Sequence, residues 1–180
     1  MSKKNSDRMP NVAFTMMSFI FKMMDLFHTP VKKLDDFGIE EGMIIVDYGC
    51  GPGRYIERAS KLVGASGRVY AADVQEMAVA AVKKKMSKLN LTNVEPVMVD
   101  EYSCPIESHI ADMIYALDMF HSVNDSTAFL KELHRIIKND GVLIIEDGHQ
   151  PRAKAKDKII ASGLWHILEE NANHLKCQPV

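Results

Sequence analysis

Short runs of β-branched and other apolar residues alternate with helical patterns through most of this chain, from about residue 42 onward. The runs predict strands at Met43–Asp47, Arg68–Asp73, Val94–Val99, Asp112–Leu117 and Val142–Glu146. The segments between them predict helices at Arg54–Val63, Glu76–Leu89, Ser126–Ile137 and Lys154–Ala161, with a turn at Asp140-Gly141 before the fifth strand. Such alternation is typical of βαβ units. We therefore expect an α/β fold with a Rossmann-like, doubly wound, mostly parallel sheet.

Two more strands are predicted near the end of the sequence, at Leu164–Glu169 and His174–Pro179. The segment Glu170-Asn171-Ala172-Asn173 between them suits a hairpin connection, and Gly163 is placed to end the preceding helix. A single longer helix that runs through Glu170 is the alternative. With the hairpin, the sheet has seven strands and ends in an antiparallel pair.

The beginning of the chain has a different pattern. The polar residues between positions 11 and 25 recur at steps of three and four, at Asn11, Thr15, Ser18, Lys22 and Asp25. They form one narrow polar stripe on a helix near Asn11–Phe27, and Phe, Met, Ile and Leu occupy most of the remaining positions. An ordinary surface helix buries only one face, so we expect this helix to be covered on several sides.

The junction after the first predicted strand carries the strongest chemical signal. It reads Asp47-Tyr48-Gly49-Cys50-Gly51-Pro52-Gly53. Glycine tolerates positive φ and lets a ligand approach the backbone closely, and the helix N-terminus that follows offers unpaired N–H groups to an anion. Open parallel sheets bind ligands at the carboxyl ends of their strands. The loop is therefore the candidate cofactor site.

The spacing of these glycines argues against a dinucleotide. The fingerprint G-x-G-x-x-G would need its third glycine at Arg54. Asp73 ends the second strand, where a carboxylate can accept both hydroxyls of a ribose, and Asp100 follows the third strand, where it can accept from an adenine amine. A nicotinamide-dependent oxidoreductase is the alternative enzyme class, although the sequence has no Tyr-x-x-x-Lys pair.

Five segments carry a resemblance to a known family, and they occur in the family's order: VDYGCGPGRY, VYAADV, VMVDE, MIYALDMFH and FLKELHRIIKNDGVLIIED. Together they resemble class I S-adenosylmethionine-dependent methyltransferases. More narrowly, they are similar to the branch that contains the ubiquinone/menaquinone biosynthesis enzymes and many small-molecule methyltransferases. The resemblance covers residues 31–180.

The resemblance implies that S-adenosylmethionine is the cofactor and S-adenosylhomocysteine the product. The implied cofactor-binding residues are Asp47, Tyr48, Gly49, Cys50, Gly51, Gly53, Asp73, Val74, Asp100, Glu101 and Leu117. The three glycines would lie beneath the methionine part. Asp47 would fix this loop and touch the cofactor's amino group through water, and Leu117 would lie near the same amino group. Asp73 would bind the ribose and Val74 would pack on the adenine. Asp100, with the backbone of Glu101, would read the adenine edge.

Two residues of the loop have open roles. Arg54 either contacts the cofactor's carboxylate or is a solvated residue of the first helical turn. Cys50 is most simply a small packed residue without chemical activity.

His121 and Asp118, which follow the fourth strand, are the candidate catalytic residues on the acceptor side. The pKa range of histidine suits a general base, but His121 alternatively holds its loop by a hydrogen bond to nearby backbone. Asp118 and Asp147 faintly resemble the metal-binding carboxylates of catechol-type O-methyltransferases. Gly148 stands where those enzymes have asparagine, so no metal is predicted. The residues 118–121 also depart from the [DNS]-P-P-[YFW] motif of amino-group methyltransferases.

The same resemblance implies that the N-terminal helix is a lid over the active site. Residues 1–30 would form this lid and residues 31–180 the methyltransferase domain. Phe14, Met17, Phe21 and Met24 would then line a pocket for a small, apolar or aromatic acceptor. The alternatives are a core helix, a dimer contact in a possible homodimer, or a membrane-surface anchor. The helix lacks a basic polar face for anionic lipid, which weighs against the last of these.

Composition and charge limit the remaining choices. The chain has 180 residues and a formal net charge of −2, without the basic surplus of a dedicated nucleic-acid binder. Three scattered cysteines give neither a disulfide framework nor a zinc motif. Lys22 and Asp25 interrupt the N-terminal apolar stretch, so we expect a cytoplasmic protein without stable membrane insertion. A non-catalytic cofactor-binding scaffold is a further alternative, because cofactor motifs alone do not reveal lost activity.

Overall fold

The computed structural model describes residues 7–25 and 30–180. Its strands are β1 (Ile44–Tyr48), β2 (Arg68–Asp73), β3 (Val94–Met98), β4 (Ala111–Ala116), β5 (Ile137–Glu146), β6 (Trp165–Glu170) and β7 (His174–Pro179). Its helices are α1 (Asn11–Asp25), α2 (Ile56–Val63), α3 (Glu76–Leu89), α4 (Ser126–Ile136) and α5 (Arg152–Ser162), with 3-10 turns at Pro30–Asp36 and Phe120–Ser122.

All the strands of the described chain join one sheet, in the order β3-β2-β1-β4-β5-β7-β6. Strands β1 to β5 are parallel, and β7 pairs antiparallel with both β5 and β6. The predicted seven-stranded, Rossmann-like sheet with a C-terminal antiparallel hairpin is therefore confirmed. The alternative of one long helix through Glu170 is wrong, because that residue ends β6.

Helices cover both faces of the sheet, and the core is correspondingly divided in two. Neighbouring residues of a strand point to opposite faces, and Ile45 and Val46 of β1 belong to different buried clusters. One cluster includes side chains of α4 and α5, and the other includes side chains of α2 and the 3-10 turn at Pro30–Asp36. This arrangement leaves the carboxyl ends of β1 to β5 together along one edge.

Several helix ends follow from local side-chain chemistry. Asp125 caps α4, since its Oδ1 accepts from the backbone N–H of Ala128 at 2.9 Å. Asn90 and Gly163 end α3 and α5 in the left-handed conformation. The stop predicted at Gly163 is therefore confirmed, and α3 has the predicted bounds.

The start of β5 differs from the prediction. We expected a turn at Asp140-Gly141 and a strand from Val142, but the strand begins at Ile137, directly after α4. Its pairing with β4 is irregular there: Ala111 pairs with Ile137 and Met113 with Val142, so the residues between them bulge out of the ladder. A Cβ at Gly141 would lie only 2.5 Å from Ile137 Cγ1. Glycine serves close packing inside a bulge at this position rather than a turn between elements.

The N-terminal helix begins at the predicted residue, Asn11, but does not have the predicted cover. Its predicted end near Phe27 lies outside the described residues. Phe14 is buried, whereas Val12, Met16, Phe19, Ile20 and Met23 are exposed. The expectation that α1 is covered on several sides is therefore wrong. The helix lies against the body on one side only, and apolar side chains occupy its opposite side as well. The predicted division at residue 30 adjoins residues 26–29, which are outside the described ranges.

Candidate active site

The glycine loop leaves β1 and turns back towards β2. The backbone N–H groups of Gly49 and Cys50 both donate to the carbonyl of Ala72, at 2.8 and 3.1 Å. Gly49 has a φ of +82°, and a Cβ there would lie 2.9 Å from Met119 Cγ. Glycine is required at this position both for its backbone conformation and for the side chain packed against it.

Asp73, at the end of β2, holds the loop in place. Its Oδ2 accepts from the N–H of Gly51 at 2.8 Å, and its Oδ1 accepts from the N–H of Gln75 at 2.8 Å. Burial raises the pKa of Asp73, although the hydrogen bonds from Gln75, Gly51 and Val74 oppose the shift. Each carboxylate oxygen can accept more than one hydrogen bond. The side chain can therefore fix the loop and still accept ribose hydroxyls.

Asp47 is the most deeply buried carboxyl group at this edge of the sheet. It is 2% exposed, and its Oδ2 has no hydrogen-bond partner among the described residues. Burial, followed by the negative charge of Asp73, raises the pKa of Asp47 to about 8. The group is thus mostly protonated at neutral pH. A bound cation would favour its ionised form, which makes the position suitable for an amino group.

Tyr48 contributes a second unsatisfied polar group. Its ring packs edge to face on Phe129, with centroids 5.4 Å apart, and within the described chain its buried hydroxyl has no partner. Burial raises the pKa of Tyr48, so the phenol stays protonated. It is available as a hydrogen-bond donor to a ligand.

A cavity of about 790 Å³ lies over these residues, in the upper part of the size range of ligand sites, about 300–1,000 Å³. It brings together most of the residues predicted from sequence, namely Asp47, Tyr48, Gly49, Cys50, Gly51, Asp73, Val74, Glu101, Leu117, Asp118, His121, Phe14, Met17 and Phe21. Burial raises the pKa of the Cys50 thiol well above its usual value, as expected of a packed residue. The side chain of Met24, also predicted to line the pocket, lies outside the described residues.

Two predicted cofactor residues are not among the described residues that line the cavity. A Cβ at Gly53 would lie 3.0 Å from Ile56 Cδ1 and 3.1 Å from Val82 Cγ2, so this glycine lets α2 and α3 pack closely. Asp100 is exposed, and its backbone pairs with Ser103 in the turn after β3. Glu101 and Tyr102 of the same turn line the cavity instead. The role of Asp100 at the adenine edge stays a prediction.

The segment before α1 is tied across the cavity by three sets of polar contacts. Tyr102 Oη donates to Asp7 Oδ2 at 2.8 Å, and the side-chain amide of Asn124 donates to Asp7 Oδ1 at 2.5 Å. Arg8 Nη1 lies 3.4 Å from Glu76 Oε1. Gln75 Nε2 donates to Asn11 Oδ1 at 2.9 Å. Of these partners, Gln75, Tyr102 and Asn124 lie in the loops after β2, β3 and β4, and Glu76 is the first residue of α3.

The inner face of α1 closes the cavity from above with apolar side chains. Phe14 is 4% exposed. Met17 Cε lies 4.0 Å from the position of a Cβ on Gly51, and the Phe21 ring centroid lies 4.7 Å from the Arg54 guanidinium carbon. Arg54 itself lines the cavity. The inner face of α1 therefore lies over the glycine loop.

The loop after β4 holds the candidate catalytic residues. The ring of His121 packs edge to face on His149, with centroids 4.9 Å apart, and Asp118 Oδ1 lies 4.0 Å from His149 Nε2. Burial lowers the pKa of His121, against the opposing charge of Asp118, so the ring is neutral at pH 7. Its Nδ1 is buried and has no partner in the described part of the chain. A Cβ at Gly148 would lie 2.0 Å from this Nδ1.

An ion pair inside the cavity was missed by the sequence analysis. Lys33 Nζ donates to Glu146 Oε1 at 2.6 Å and lies 5.9 Å from the Tyr55 ring centroid. Burial alone would lower the pKa of Lys33, but Glu146 and Tyr55 outweigh it and leave the pKa raised. Glu146 ends β5, a position at which side chains reach the ligand edge. Lys33 lies in a 3-10 turn that no sequence pattern indicated.

Asp147, considered above as a metal ligand with Asp118, forms an ion pair with the side chain of Arg152. Arg152 Nε donates to its Oδ2 at 2.5 Å. Within residues 7–25 and 30–180, no group of three or more His, Cys, Asp or Glu side chains is arranged to hold a metal ion. In the same residues, no helix is long and apolar enough to cross a membrane.

This chain is similar to known proteins that are named as methyltransferases. A family model described as a methyltransferase domain matches residues 39–177. The ubiquinone/menaquinone biosynthesis C-methyltransferase UbiE of Klebsiella pneumoniae is 26% identical over 136 residues, which are 75% of this chain and 54% of that protein. UbiE of Escherichia coli O1:K1 is 24% identical over 173 residues, 92% of this chain and 69% of that protein. The chain thus spans roughly half to two thirds of the length of these relatives.

Solved structures agree with these relatives. A SAM-dependent methyltransferase from Aquifex aeolicus is 31% identical, with a TM-score of 0.73, over 84% of this chain and 90% of that one. An S-adenosyl-L-methionine-dependent methyltransferase from Methanococcus maripaludis, described as putative, has a TM-score of 0.76 over 99% of this chain and 95% of that one. At 18% identity, the second likeness shows the fold alone.

Proposed function

We propose that this chain, which belongs to the S-adenosylmethionine-dependent methyltransferase family, transfers the cofactor's methyl group to a small apolar or aromatic acceptor. The observation that carries the proposal is the cavity itself. It joins a glycine loop, two strand-end aspartates and an apolar lid in one space of about 790 Å³. The first two features suit the cofactor, and the third suits the acceptor.

The residues present fit the cofactor. We propose that Asp73, which holds Gly51, also accepts from the ribose hydroxyls, and that the unpaired Oδ2 of Asp47 accepts from the amino group. Val74, Glu101 and Tyr102 line the cavity near the adenine position expected for the family. When bound, the cofactor supplies an already activated methyl group for in-line displacement. The chain's own contribution is to align the acceptor and to exclude water.

The acceptor half of the cavity supports the second part of the proposal. Phe14, Met17 and Phe21 present apolar surface from the lid, and Met119 adds more from below. The curated relatives are named for C-methylation in ubiquinone and menaquinone biosynthesis, which favours an aromatic acceptor. The Lys33–Glu146 ion pair offers both a donor and an acceptor of hydrogen bonds to a polar substituent on that ring.

His121 is the proposed general base. Its lowered pKa keeps the ring neutral and able to accept a proton, and its unpaired Nδ1 removes one support for a purely structural role. Asp118, exposed beside His149, is proposed to orient this pair of rings. A base is needed only if the acceptor loses its proton late.

Isothermal titration of the full chain with S-adenosylmethionine, S-adenosylhomocysteine and NADH tests the cofactor. We expect both adenosyl compounds to bind and NADH not to bind. Asp73→Ala should weaken binding by about 1–3 kcal/mol, the cost of losing a hydrogen-bonded charged partner. Asp157→Ala, at an exposed aspartate of α5, serves as the matched control and should change the Kd by less than about twofold, because an exposed substitution usually alters little. Asp100→Ala tests the predicted adenine contact.

Two results would count against the cofactor assignment. One is binding of NADH without either adenosyl compound, and the other is an unchanged Kd in the Asp73 variant. If Asp100→Ala weakens cofactor binding more than Asp73→Ala does, the result would support the adenine role predicted for Asp100. The acceptor is tested separately by transfer of a labelled methyl group to a panel of phenols and hydroquinones. Transfer to none of them would refute the acceptor class while leaving the cofactor intact.

A further inference from the structure

The outer face of α1, formed by Val12, Met16, Phe19, Ile20 and Met23, is exposed and apolar. These residues recur at steps of three and four, so they lie on one side of the helix. They are opposite the side from which Phe14, Met17 and Phe21 line the cavity. The lid is therefore apolar on both sides, and only its inner side is covered by the rest of the described chain.

The exposed apolar residues are concentrated in this one place. Of the ten large hydrophobic residues exposed in the described chain, six lie between Met9 and Met23. Single exposed hydrophobic residues are ordinary, but a contiguous apolar patch on a small protein usually marks a surface that binds something. The outer face is thus a candidate docking surface.

The charge of the N-terminal segment indicates what kind of partner the outer face of α1 binds. The first 36 residues contain six basic residues (Lys3, Lys4, Arg8, Lys22, Lys32 and Lys33) and four acidic ones (Asp7, Asp25, Asp35 and Asp36), a net charge of +2. The whole chain has a net charge of −2, so the rest of the molecule is acidic. Arg8 and Lys33 are engaged by Glu76 and Glu146, and Asp35 is engaged by Arg58, which leaves a small basic excess in the segment. Two copies packed through α1 would bring these like charges together, whereas an anionic surface complements them.

We propose that the outer face of α1 docks on the surface of an anionic lipid bilayer, with the helix lying in the interfacial plane. Apolar side chains of such a helix enter the boundary between headgroups and acyl chains, and nearby basic residues are attracted to anionic headgroups. At 15 residues α1 is too short to span the bilayer, so the contact is peripheral. Only Lys22 of these basic residues lies within α1, and the others precede or follow it, which is why the helix pattern alone shows no basic face.

Co-sedimentation of the full chain with lipid vesicles tests this surface without any assay of methyl transfer. The vesicles are phosphatidylcholine alone and phosphatidylcholine mixed with phosphatidylglycerol. The test variant is Met16→Ser/Phe19→Ser. The control is Ile160→Ser/Leu168→Ser, which removes hydrophobic residues of similar exposure, 62% and 51% against 61% and 63%, from another part of the surface.

We expect the wild-type chain and the control to bind the anionic vesicles equally, and to bind less to neutral vesicles and at high salt. The Met16/Phe19 variant should bind at least about tenfold more weakly, because it loses the side chains that enter the lipid. Its circular dichroism and Tm should match the control, and Val12→Ser/Ile20→Ser should repeat the loss if the first variant does not fold. Failure of the wild-type chain to bind anionic vesicles, or equal binding by the test variant, overturns the proposal. So does a dimer in sedimentation velocity that Met16→Ser/Phe19→Ser dissociates, because a second copy would then be the occupant.

Discussion

The two halves of the cavity are built in different ways. The cofactor half consists of backbone and short side chains at strand ends, such as the loop of Gly49 and Gly51 held by Ala72 and Asp73. The acceptor half consists of long side chains from separate segments, including Phe21 of α1 and Lys33 of the following turn. Its contacts join residues far apart in sequence: Asn11 with Gln75, Lys33 with Glu146 and Asp7 with Asn124.

This difference explains what each half can specify. Backbone geometry at strand ends is fixed by the sheet, so the cofactor half is the same whatever the acceptor. Side chains that meet across long separations can be exchanged without altering the sheet. We therefore expect the rigid half to determine cofactor identity and the proposed lid, α1, to determine acceptor identity. If this expectation holds, crowding the rigid half should weaken cofactor binding strongly, whereas loosening the lid should only speed cofactor release.

The largest effect on cofactor binding is expected at Gly49. Gly49→Ala places a Cβ 2.9 Å from Met119 Cγ at a φ of +82°, whereas Gly38→Ala meets nothing within 4 Å at a φ of +79°. Both variants carry the strain of an alanine at positive φ, about 1–2 kcal/mol. Only Gly49→Ala should also weaken S-adenosylmethionine binding, by at least about tenfold, because overpacking displaces the loop. Titration calorimetry and chemical denaturation measure the two quantities.

A substitution at Met119 checks whether crowding by its side chain causes the loss of binding in Gly49→Ala. Met119→Ala removes the crowding atom, so Gly49→Ala/Met119→Ala should recover most of the binding and keep only the backbone strain. If Gly38→Ala weakens binding as much as Gly49→Ala does, the effect is general strain, and the cofactor half has no special rigidity.

The next prediction concerns Gly148, at the acceptor end of the cavity, where the expected change is in the rate of methyl transfer. Gly148 and Gly163 have φ values of +65° and +66°, but a Cβ at Gly148 would lie 2.0 Å from His121 Nδ1, whereas a Cβ at Gly163 meets nothing within 4 Å. Gly148→Ala should displace His121 and lower the methyl-transfer rate by about a hundredfold, within the range for loss of a general base. Gly163→Ala should leave the rate near that of the wild type.

The cofactor Kd separates the two halves in this experiment. It should stay within about twofold of the wild-type value in both glycine variants, as expected of a change remote from the cofactor contacts. A loss of cofactor affinity in Gly148→Ala would show that the two ends are coupled. An unchanged rate would remove His121 from the mechanism.

The contrast between locally determined structure and contacts between distant segments also explains what the sequence could predict. The bounds of β2 and α3, the start of α1 and the glycine loop follow from local periodicity and turn chemistry. The early start of β5 could not be predicted, because Ile137–Gly141 are set by the bulge against β4 rather than by their own pattern. The exposed outer face of α1 and the Lys33–Glu146 pair were missed for a related reason. Both depend on how distant segments meet, and an apolar helix position looks the same whether it faces a core, a cavity or solvent.

The smallest effect is expected where the lid is tied down. Asp7→Ala removes the acceptor for Tyr102 Oη and for the side-chain amide of Asn124, and each partly exposed hydrogen bond contributes about 0.5–1.5 kcal/mol. We expect the association rate of S-adenosylmethionine to be unchanged and its dissociation to be about two- to tenfold faster in stopped-flow measurements, because the lid opens more often. Asp157→Ala, an exposed aspartate on α5, is the control. Equal dissociation rates in the two variants would mean that the segment before α1 does not retain the cofactor. Slower association in Asp7→Ala would mean instead that this segment forms part of the rigid half, and the boundary between the two halves would have to be moved to include it.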